Sequence, residues 1–352
     1  MNSIDPWYLQ NLVCPIDHLD LRLEGRHLTS RHGRRYPVVD GVPVLLVADQ
    51  MQTIGVAHGS IERAEGRSNA IDPRAPHLYL ESLGIGDPEK EELVRLSKDT
   101  TTIDPVVMML IGATCGNAYK DLIGSHRLKD YPIPSLALTP TKAGSTLLDI
   151  GCNWGRWSFA AARQGFSVVG IDPSLGAVVA ARRIAKDLNL DIKFLVADGR
   201  FLPFRDNGFD AVYSYSVLQH LSKDDARKVL AQVGRVLQPG GVARIQMAAK
   251  WGLRSIERQA RRKFREPSGF EVRYWTIREL EAAFSDFIGR TQISADCYFG
   301  LGWQWSDFRY VSGARKAVLA ASELLRRVST VVAPVRMVAD SVFCTATKMR
   351  SP

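Results

Sequence analysis

The chain has few cysteines and no long apolar run. The five cysteines, Cys14, Cys115, Cys152, Cys297 and Cys344, are scattered and odd in number, which excludes the disulfide framework typical of small secreted domains. We expect them to be small buried apolar residues. No apolar stretch reaches the roughly 20 residues that a membrane-spanning helix needs, and the N-terminus lacks a basic and then apolar export signal. These absences predict a cytoplasmic protein without a transmembrane segment and without a metal-binding cysteine cluster.

Acidic residues are in the minority. The 352 residues include 37 Asp and Glu against 46 Lys and Arg, a net charge of +9. Such a surface attracts anions of any kind, so RNA, phosphorylated metabolites and membrane surfaces all stay open as partners. The length is enough for one large domain and a smaller one.

A third glycine is missing from the turn at Gly151 and Gly155. A dinucleotide-binding turn needs the rhythm Gly-x-Gly-x-x-Gly, so that a pyrophosphate can rest on a helix N-terminus. This chain has Asn153 between its two glycines and Asp149 just before the first. A carboxylate repels a pyrophosphate and attracts a cation. The turn therefore favours S-adenosylmethionine, whose sulfonium and ammonium groups are positive.

Apolar strands that end in carboxylates follow one another around this turn. The run from Leu147 to Ile150 is a short strand, and a helix is expected over 156–164. About 20 residues further on, a second strand ends at Asp172, the usual place for an acid that binds two ribose hydroxyls. A third strand ends at Asp198. A fourth begins at Asp210, and a fifth covers 242–249.

This order of motifs, from about Ser145 to Lys348, resembles the class I S-adenosylmethionine-dependent methyltransferases, type 11. The resemblance implies an α/β fold in which a seven-stranded Rossmann-like sheet carries helices on both faces, with strands six and seven over 291–298 and 340–348. The alternative is that the acids are strand-end surface residues of another α/β fold. The implied cofactor-binding residues are Asp149, Gly151, Asn153 and Gly155 for the methionine end, Asp172 and Pro173 for the ribose, Asp198 and Gly199 for adenine, and Ser214 and Tyr215 beside the methyl group.

His220 is the only one of seven histidines that falls within this predicted methyltransferase core. An imidazole with a pKa near 6.5 is suited to take a proton from a hydroxyl acceptor. His220 is therefore the candidate general base. The alternative is a helix-start residue that packs beside the cofactor.

A small β-rich module is expected over residues 1–48. Its Cys14-Pro element and later Tyr-Pro element resemble the zinc-ribbon-like activator subunit of tRNA methyltransferases. Asp17, Thr29 and His32 stand where that family has its other metal-binding cysteines. Structural zinc normally has cysteine or histidine at all four corners, so we expect a metal-free module. Its expected core is Leu12, Val38, Val39, Val42, Val44 and Leu45.

Residues 49–140 are expected to form a linker and then a helical lid. The stretch from Ala48 to Asp72 is polar and has little periodicity, as in linkers. Helices are predicted over 88–97 and 105–123. Asn117 and Tyr119 are candidate substrate residues in this lid, or else Tyr119 packs the helix onto the sheet.

The methyltransferase domain itself is expected over 141–352, with insertions at about 250–274 and 299–335. The first insertion is basic and is either a solvated face or a binding surface for a phosphate-bearing or membrane-associated substrate. The second contains Trp303 and Trp305, which are candidate substrate residues or core residues. Thr276 and Glu279 predict a capping box at a helix start, and a further helix is expected over 314–328.

The leading functional prediction is methylation of a small-molecule or lipid- or carrier-linked metabolite, with oxygen as the acceptor atom. RNA methylation is the alternative, suggested by the N-terminal resemblance and the positive charge. Against it, Ser214 and Tyr215 stand where many base-methylating enzymes have an Asn-Pro-Pro-Tyr type of element. A cofactor-binding protein without catalysis is the third reading. An anionic acceptor and peripheral membrane contact both stay open.

Overall fold

The computed structural model describes residues 4–67, 88, 91, 95, 103–114, 128–300, 302–311 and 313–349. The chain divides into two compact units. The first unit comprises Met1–Leu110 and Pro140–Gly208, and the second unit comprises Ile111–Thr139 and Phe209–Pro352.

Helices and strands alternate along most of the described chain. The helices are α1 Pro6–Asn11, α2 Gly55–Ala64, α3 Pro105–Thr114, α4 Arg156–Arg163, α5 Leu175–Asp187, α6 Lys223–Val236, α7 Leu253–Arg261, α8 Ile277–Phe287, α9 Ala314–Val328 and α10 Ala333–Met337. The strands are β1 Leu21–Glu24, β2 His27–Ser30, β3 Arg35–Val39, β4 Val42–Pro43, β5 Thr146–Ile150, β6 Ser167–Asp172, β7 Ile192–Val196, β8 Phe209–Ser214, β9 Leu237–Ala248, β10 Gly289–Cys297 and β11 Ser341–Lys348. None of the helices in these residues is long and apolar enough to cross a membrane.

Seven strands form one mixed sheet, in the order β10-β11-β9-β8-β5-β6-β7. Strands β5, β6 and β7 are parallel to one another, and β8 is parallel to β9. Strand β11 runs antiparallel to both of its neighbours. The central strands are near-continuous apolar runs, as expected of parallel strands covered on both faces. The predicted seven-stranded α/β fold is therefore confirmed, and each predicted strand lies within a few residues of its expected bounds.

The N-terminal module is an antiparallel sheet in the order β1-β2-β3-β4, which confirms its predicted β-rich character. Val44, the residue after β4, forms a parallel bridge with Val196 of β7. The Leu45 amide donates to the Val196 carbonyl at 2.8 Å. The Val13 amide donates to the Pro203 carbonyl at 3.0 Å. Unpaired strand edges invite association with other chains, so the module protects the β7 edge of the large sheet.

The core of this module differs in part from the predicted one. Leu12, Val42, Val44 and Leu45 are buried, as expected. Val38 and Val39 are only half-buried. Tyr36 of the same strand, β3, is buried instead, and so is Leu28 of β2.

The predicted linker contains a helix, α2, that the sequence analysis did not anticipate. Ala57, Ser60 and Ile61 lie buried on one face of it. The Ser60 hydroxyl donates to the Pro173 carbonyl at 2.7 Å and accepts from the Leu175 amide at 2.8 Å. Ala57 and Ile61 are the only buried apolar side chains of this helix. The sequence therefore shows little helical periodicity, and its composition alone indicated a loop.

Several local predictions are confirmed within the described residues. Thr276 and Glu279 form a capping box at the start of α8, and α9 has the predicted bounds 314–328. Cys14, Cys152, Cys297 and Cys344 are buried free thiols. Helix α3 covers the first half of the predicted 105–123 helix. Asn117, Tyr119 and Cys115 lie outside the described residues.

Replacing Leu45 with proline removes the amide that bonds to Val196. We expect Leu45→Pro to lower the free energy of unfolding by at least about 1 kcal/mol for the lost hydrogen bond and to cause aggregation, because the β7 edge opens. Urea unfolding and light scattering measure these effects. The control, Leu23→Pro, lies in β1, which pairs within the module's sheet only with β2. Equal aggregation of both variants would contradict protection of the β7 edge.

Candidate functional site

The turn after β5 has an unusual backbone. Gly151, Asn153 and Gly155 have φ values of +74°, +48° and +90°, which glycine and asparagine tolerate best. A side chain at Gly155 would place its Cβ 2.7 Å from the Phe159 ring. The two glycines that the sequence analysis singled out therefore shape the entry into α4, and a ligand can approach the backbone closely here.

Asp149 lies in β5 just before this turn and is fully buried. Its carboxylate accepts a hydrogen bond from the Ser158 hydroxyl at 2.7 Å. Burial, reinforced by the negative charge of Asp172, raises the pKa of Asp149 to about 7. The Ser158 hydrogen bond only partly opposes this shift.

Asp172 ends the neighbouring strand β6 and is also buried. Its carboxylate accepts from the backbone amides of Asn153 and Ser174, each at 2.9 Å. Burial raises the pKa of Asp172 to about 6, against the two hydrogen bonds. The Asn153 contact ties the glycine turn to the end of β6.

Asp149 and Asp172 therefore form a buried acidic pair at one edge of the parallel strands. Their hydrogen bonds come from Ser158, Asn153 and Ser174, which are uncharged donors. A buried charge normally has a charged partner or shifts its pKa until it is neutral. A positively charged ligand would supply the cationic partner that these two carboxylates lack in the fold. The site therefore fits a cationic nucleoside better than an anionic one.

Asp198 differs from this pair, because the fold itself neutralises it. The Arg200 guanidinium bonds to its carboxylate, with Nη2 2.7 Å from Oδ2 and Nε 3.0 Å from Oδ2. Arg200 also donates to the Met51 carbonyl at 2.7 Å. Sequence reasoning placed Asp198 at this strand edge and missed Arg200. The only sign of this ion pair in the sequence is that a basic residue stands two positions after the acid. Such spacing does not show whether the basic side chain pairs with the acid or is exposed to solvent.

The second unit contains a buried polar cluster around Asp296 in β10. The Tyr215 hydroxyl donates to Asp296 Oδ2 at 3.1 Å, and the Ser341 hydroxyl donates to the same oxygen at 2.7 Å. The Gln304 amide nitrogen donates to Asp296 Oδ1 at 3.2 Å. Burial raises the pKa of Asp296, and the three donors oppose the shift. Of this cluster, sequence reasoning had found only Tyr215.

The remaining predicted residues of this unit lie in different settings. Ser214 is fully buried at the end of β8. Trp303 is buried, and its indole nitrogen has no hydrogen-bond partner within the described chain. Trp305 is half-exposed and lies against Phe308, with ring centroids 4.9 Å apart. The two tryptophans therefore do not share one environment.

His220 ends a 3-10 turn, Leu218–His220, that follows β8. Its Nδ1 lies 2.8 Å from the Phe270 carbonyl, and its ring stacks on the Phe270 ring at 4.0 Å. Gln219 Nε2 is 3.4 Å from Nε2 of the imidazole. Burial and the nearby Arg273 charge lower the pKa of His220. The imidazole is therefore neutral, and the Phe270 carbonyl favours the tautomer with a proton on Nδ1.

In the N-terminal module, Cys14, Asp17, Thr29 and His32 stand at the positions that correspond to the zinc-ribbon cysteines, where we expect no metal. The Cys14 thiol lies 3.3 Å from the Tyr36 hydroxyl, and His32 Nδ1 lies 2.9 Å from Asp17 Oδ2. Thr29 Oγ1 is buried without a partner. In the described part of the chain no group of three or more His, Cys, Asp or Glu side chains is arranged to hold a metal ion. Hydrogen bonds join Cys14 to Tyr36 and His32 to Asp17 at these positions.

The strand order, the reversed β11 and the glycine turn before α4 define a Rossmann-like methyltransferase fold. Residues 147–241 match the family described as methyltransferase domain. Over these residues, about a quarter of the chain, the match agrees with the predicted methyltransferase class.

Three relatives show how far this similarity extends. The chain is 33% identical to phosphoethanolamine N-methyltransferase 2 of Caenorhabditis elegans, over 31% of this chain and 25% of that protein. It is 34% identical to probable tRNA methyltransferase 9B of Mus musculus, over 32% and 24%. It is 29% identical to demethylmenaquinone methyltransferase of Renibacterium salmoninarum, over 50% and 73%. The chain thus spans about a quarter of the length of the first two relatives.

Replacing Asp149 with asparagine should stabilise the ligand-free protein at high pH. Because the folded state raises the pKa of Asp149 from 3.8 to about 7, its stability contribution is full below pH 3.8 and is lost as pH rises through 7. We expect Asp149→Asn to add about 2 to 4 kcal/mol to the free energy of unfolding at pH 8 and almost nothing at pH 4. Urea unfolding at both pH values measures this difference.

Asp198→Asn is the matched control for this measurement. It breaks the buried ion pair with Arg200, so it should destabilise the protein by about 3 kcal/mol at pH 8. Equal losses of stability for the two variants would contradict the distinction between an unpaired and a paired carboxylate.

The cluster around Asp296 should behave as one unit. Asparagine at this position has a single acceptor oxygen for three donors, so Asp296→Asn should lower the free energy of unfolding by about 1 to 3 kcal/mol. Tyr215→Phe removes one of the donors. In a double-mutant cycle, the combined loss should be smaller than the sum of the single losses. Additive losses would show that Tyr215 and Asp296 do not interact.

Proposed function

We propose that the protein is an S-adenosylmethionine-dependent methyltransferase that acts on a small-molecule or lipid- or carrier-linked metabolite, with oxygen as acceptor. The observation that carries this proposal is the acidic pair of Asp149 and Asp172, buried without a cationic hydrogen-bond donor beside a glycine turn. A cationic nucleoside would satisfy the negative charge of this pair and would fit the close approach to the backbone at the glycine turn.

In this proposal the first unit holds the cofactor. Gly151, Asn153 and Gly155 let the backbone approach its methionine end. Asp172 accepts from the ribose hydroxyls, since each carboxylate oxygen keeps a lone pair after its one backbone hydrogen bond. Pro173 follows Asp172 and is held by Ser60. Asp198 and Gly199 border the adenine, with the Arg200 ion pair fixing the turn.

When bound, S-adenosylmethionine supplies a methyl group on a positively charged sulfur. The work left to the protein is alignment, which can lower a barrier by roughly 7–11 kcal/mol. Ser214, which ends β8, and Tyr215, which follows it, are proposed to border the methyl group. Tyr215 is suited to a positioning role, because Asp296 fixes its hydroxyl.

His220 is proposed as the general base for a hydroxyl acceptor. The Phe270 carbonyl holds the proton on Nδ1, so Nε2 carries the lone pair, and the acceptor hydroxyl would replace the long 3.4 Å contact from Gln219 Nε2 to give its proton to Nε2. Its lowered pKa keeps the ring neutral and competent at neutral pH. His220→Gln should reduce turnover by about 10²- to 10⁴-fold and abolish the acidic limb of the pH–rate profile. Unchanged turnover at neutral and high pH would remove His220 from the mechanism.

Two of the relatives support a small-molecule acceptor, since phosphoethanolamine and demethylmenaquinone are the compounds in their names. RNA methylation is the second candidate, supported by the similarity to probable tRNA methyltransferase 9B. Incubation of a cell extract with radiolabelled cofactor, followed by separation into RNA, lipid and small-molecule fractions, distinguishes them. We expect label in the lipid or small-molecule fraction, and none with the Asp172→Ala variant. Label in RNA alone would overturn the proposal.

Cofactor binding is tested by calorimetry with S-adenosylmethionine. Asp172→Ala should weaken binding by at least about tenfold, the effect of losing roughly 1.4 kcal/mol. Affinity should also fall as pH is lowered from 8 to 5, because Asp149 and Asp172, with pKa values of about 7 and 6, take up protons and lose their attraction for a cation.

Asp191→Ala is the control, because its carboxylate is exposed at the start of β7. It should bind the cofactor as the unchanged protein does. Equal affinity of the Asp172 and Asp191 variants would refute the proposed site, and the absence of any binding would favour a protein without methyl transfer.

A further inference from the structure

Helix α7, in the second unit, turns its polar side toward the protein. Ser255 is buried, and its amide donates to the Asp340 carboxylate at 2.8 Å. The Gln259 side chain donates to the Lys250 carbonyl at 2.9 Å. Arg262, one residue beyond the helix, donates to the Val272 carbonyl at 3.2 Å. Hydrogen bonds, rather than apolar packing, anchor this helix.

The apolar side of the same helix faces solvent. Leu253 is 53% exposed and Ile256 is 39% exposed. Phe264 continues this stripe just beyond the helix and is 67% exposed. The spacing of three residues places Leu253 and Ile256 on one face of the helix. A helix on a globular protein normally buries its apolar stripe, so α7 is inverted and nothing within the described chain covers it.

Two more exposed aromatic side chains flank the helix in sequence, and one of them, Phe270, stacks on His220 with one side of its ring. Trp251 precedes the helix and is 49% exposed, and Phe270 follows it and is 59% exposed. Lys263 and Phe264 have φ values of +53° and +54°, a backbone conformation that bulky residues rarely adopt.

Positive charge borders the apolar stripe. Arg254, Arg258, Arg261 and Lys263 are all exposed. Glu257 is the only acid in α7, and Arg254 and Arg261 both bond to it. From residue 250 to 273 the sequence has eight Lys and Arg against three Glu. The surface therefore combines exposed apolar groups with a clear excess of cations.

We propose that this α7 face, formed by Trp251, Leu253, Ile256, Phe264 and Phe270 with the four bordering cations, binds the surface of a membrane that contains anionic lipids. The apolar stripe would enter the boundary between headgroups and acyl chains, and the cations would meet the lipid phosphates. Tryptophan is favoured at this depth of a membrane. The inference concerns binding alone and does not depend on the proposed methyl transfer.

A membrane accounts for this surface better than the other anionic partners. RNA would satisfy the cations, but aliphatic side chains such as Leu253 and Ile256 gain nothing from phosphates. A second copy of the chain would cover the apolar stripe, but it would bring the bordering arginines against one another.

Co-sedimentation with vesicles tests the proposal. The full chain should bind vesicles of phosphatidylcholine with about 30% phosphatidylglycerol and bind pure phosphatidylcholine poorly, since each cation near an anionic surface contributes about fivefold in affinity. The double variant Leu253→Ser, Phe264→Ser should reduce binding by at least about tenfold. The variant Arg258→Gln, Lys263→Gln should reduce it only on the anionic vesicles, and added salt should do the same.

Leu23→Ser is the control, because Leu23 is also an exposed leucine and lies in the N-terminal module. It should bind vesicles as the unchanged chain does, and thermal unfolding checks that every variant is folded. The proposal is overturned if the anionic vesicles are not bound, or if the double serine variant binds them equally well. It is also overturned if an RNA oligonucleotide is bound in preference to vesicles. Self-association that the double serine variant abolishes would assign the face to a second copy of the chain instead.

Discussion

The structure depends most on the burial of two like charges at the ends of β5 and β6. Burial raises the pKa of both Asp149 and Asp172, the charge of Asp172 raises that of Asp149 further, and their hydrogen-bond donors are neutral groups. The fold keeps them because the backbone amide of Asn153 and the hydroxyl of Ser158 hold both carboxylates in place. The two carboxylates therefore have no cationic partner in the fold. This lack is the physical basis of the proposed preference for a cationic cofactor.

The rest of the first unit supports this edge of the sheet. Ser60 of α2 holds the chain just after Asp172, and the Arg200 side chain joins Asp198 to the Met51 carbonyl. The N-terminal module pairs with β7, the outermost strand of the parallel set. Segments far apart in sequence thus converge on these strand ends, and binding of a small nucleoside by fixed groups requires such support.

The second unit distributes polarity in an unusual way. Inside it, Asp296 collects three hydrogen bonds in a buried cluster. At its surface, α7 directs polar groups inward and apolar groups outward. The first arrangement fixes the hydroxyl of Tyr215, and the second offers a partner both hydrophobic area and positive charge. The two features suggest one part of the unit suited to positioning and another suited to docking.

Local sequence patterns determined the strands, the glycine turn and the acids at the strand ends, because each depends on residues close together in the chain. The capping box of α8 and the bounds of α9 followed from the same kind of information. Only the tertiary structure decided which acids lack a cation. The Arg200 ion pair, the donors around Asp296 and the position of Ser60 join residues that no local period relates. The direction that α7 faces was equally hidden, since an amphipathic pattern shows that a helix has two sides but not which of them the fold covers.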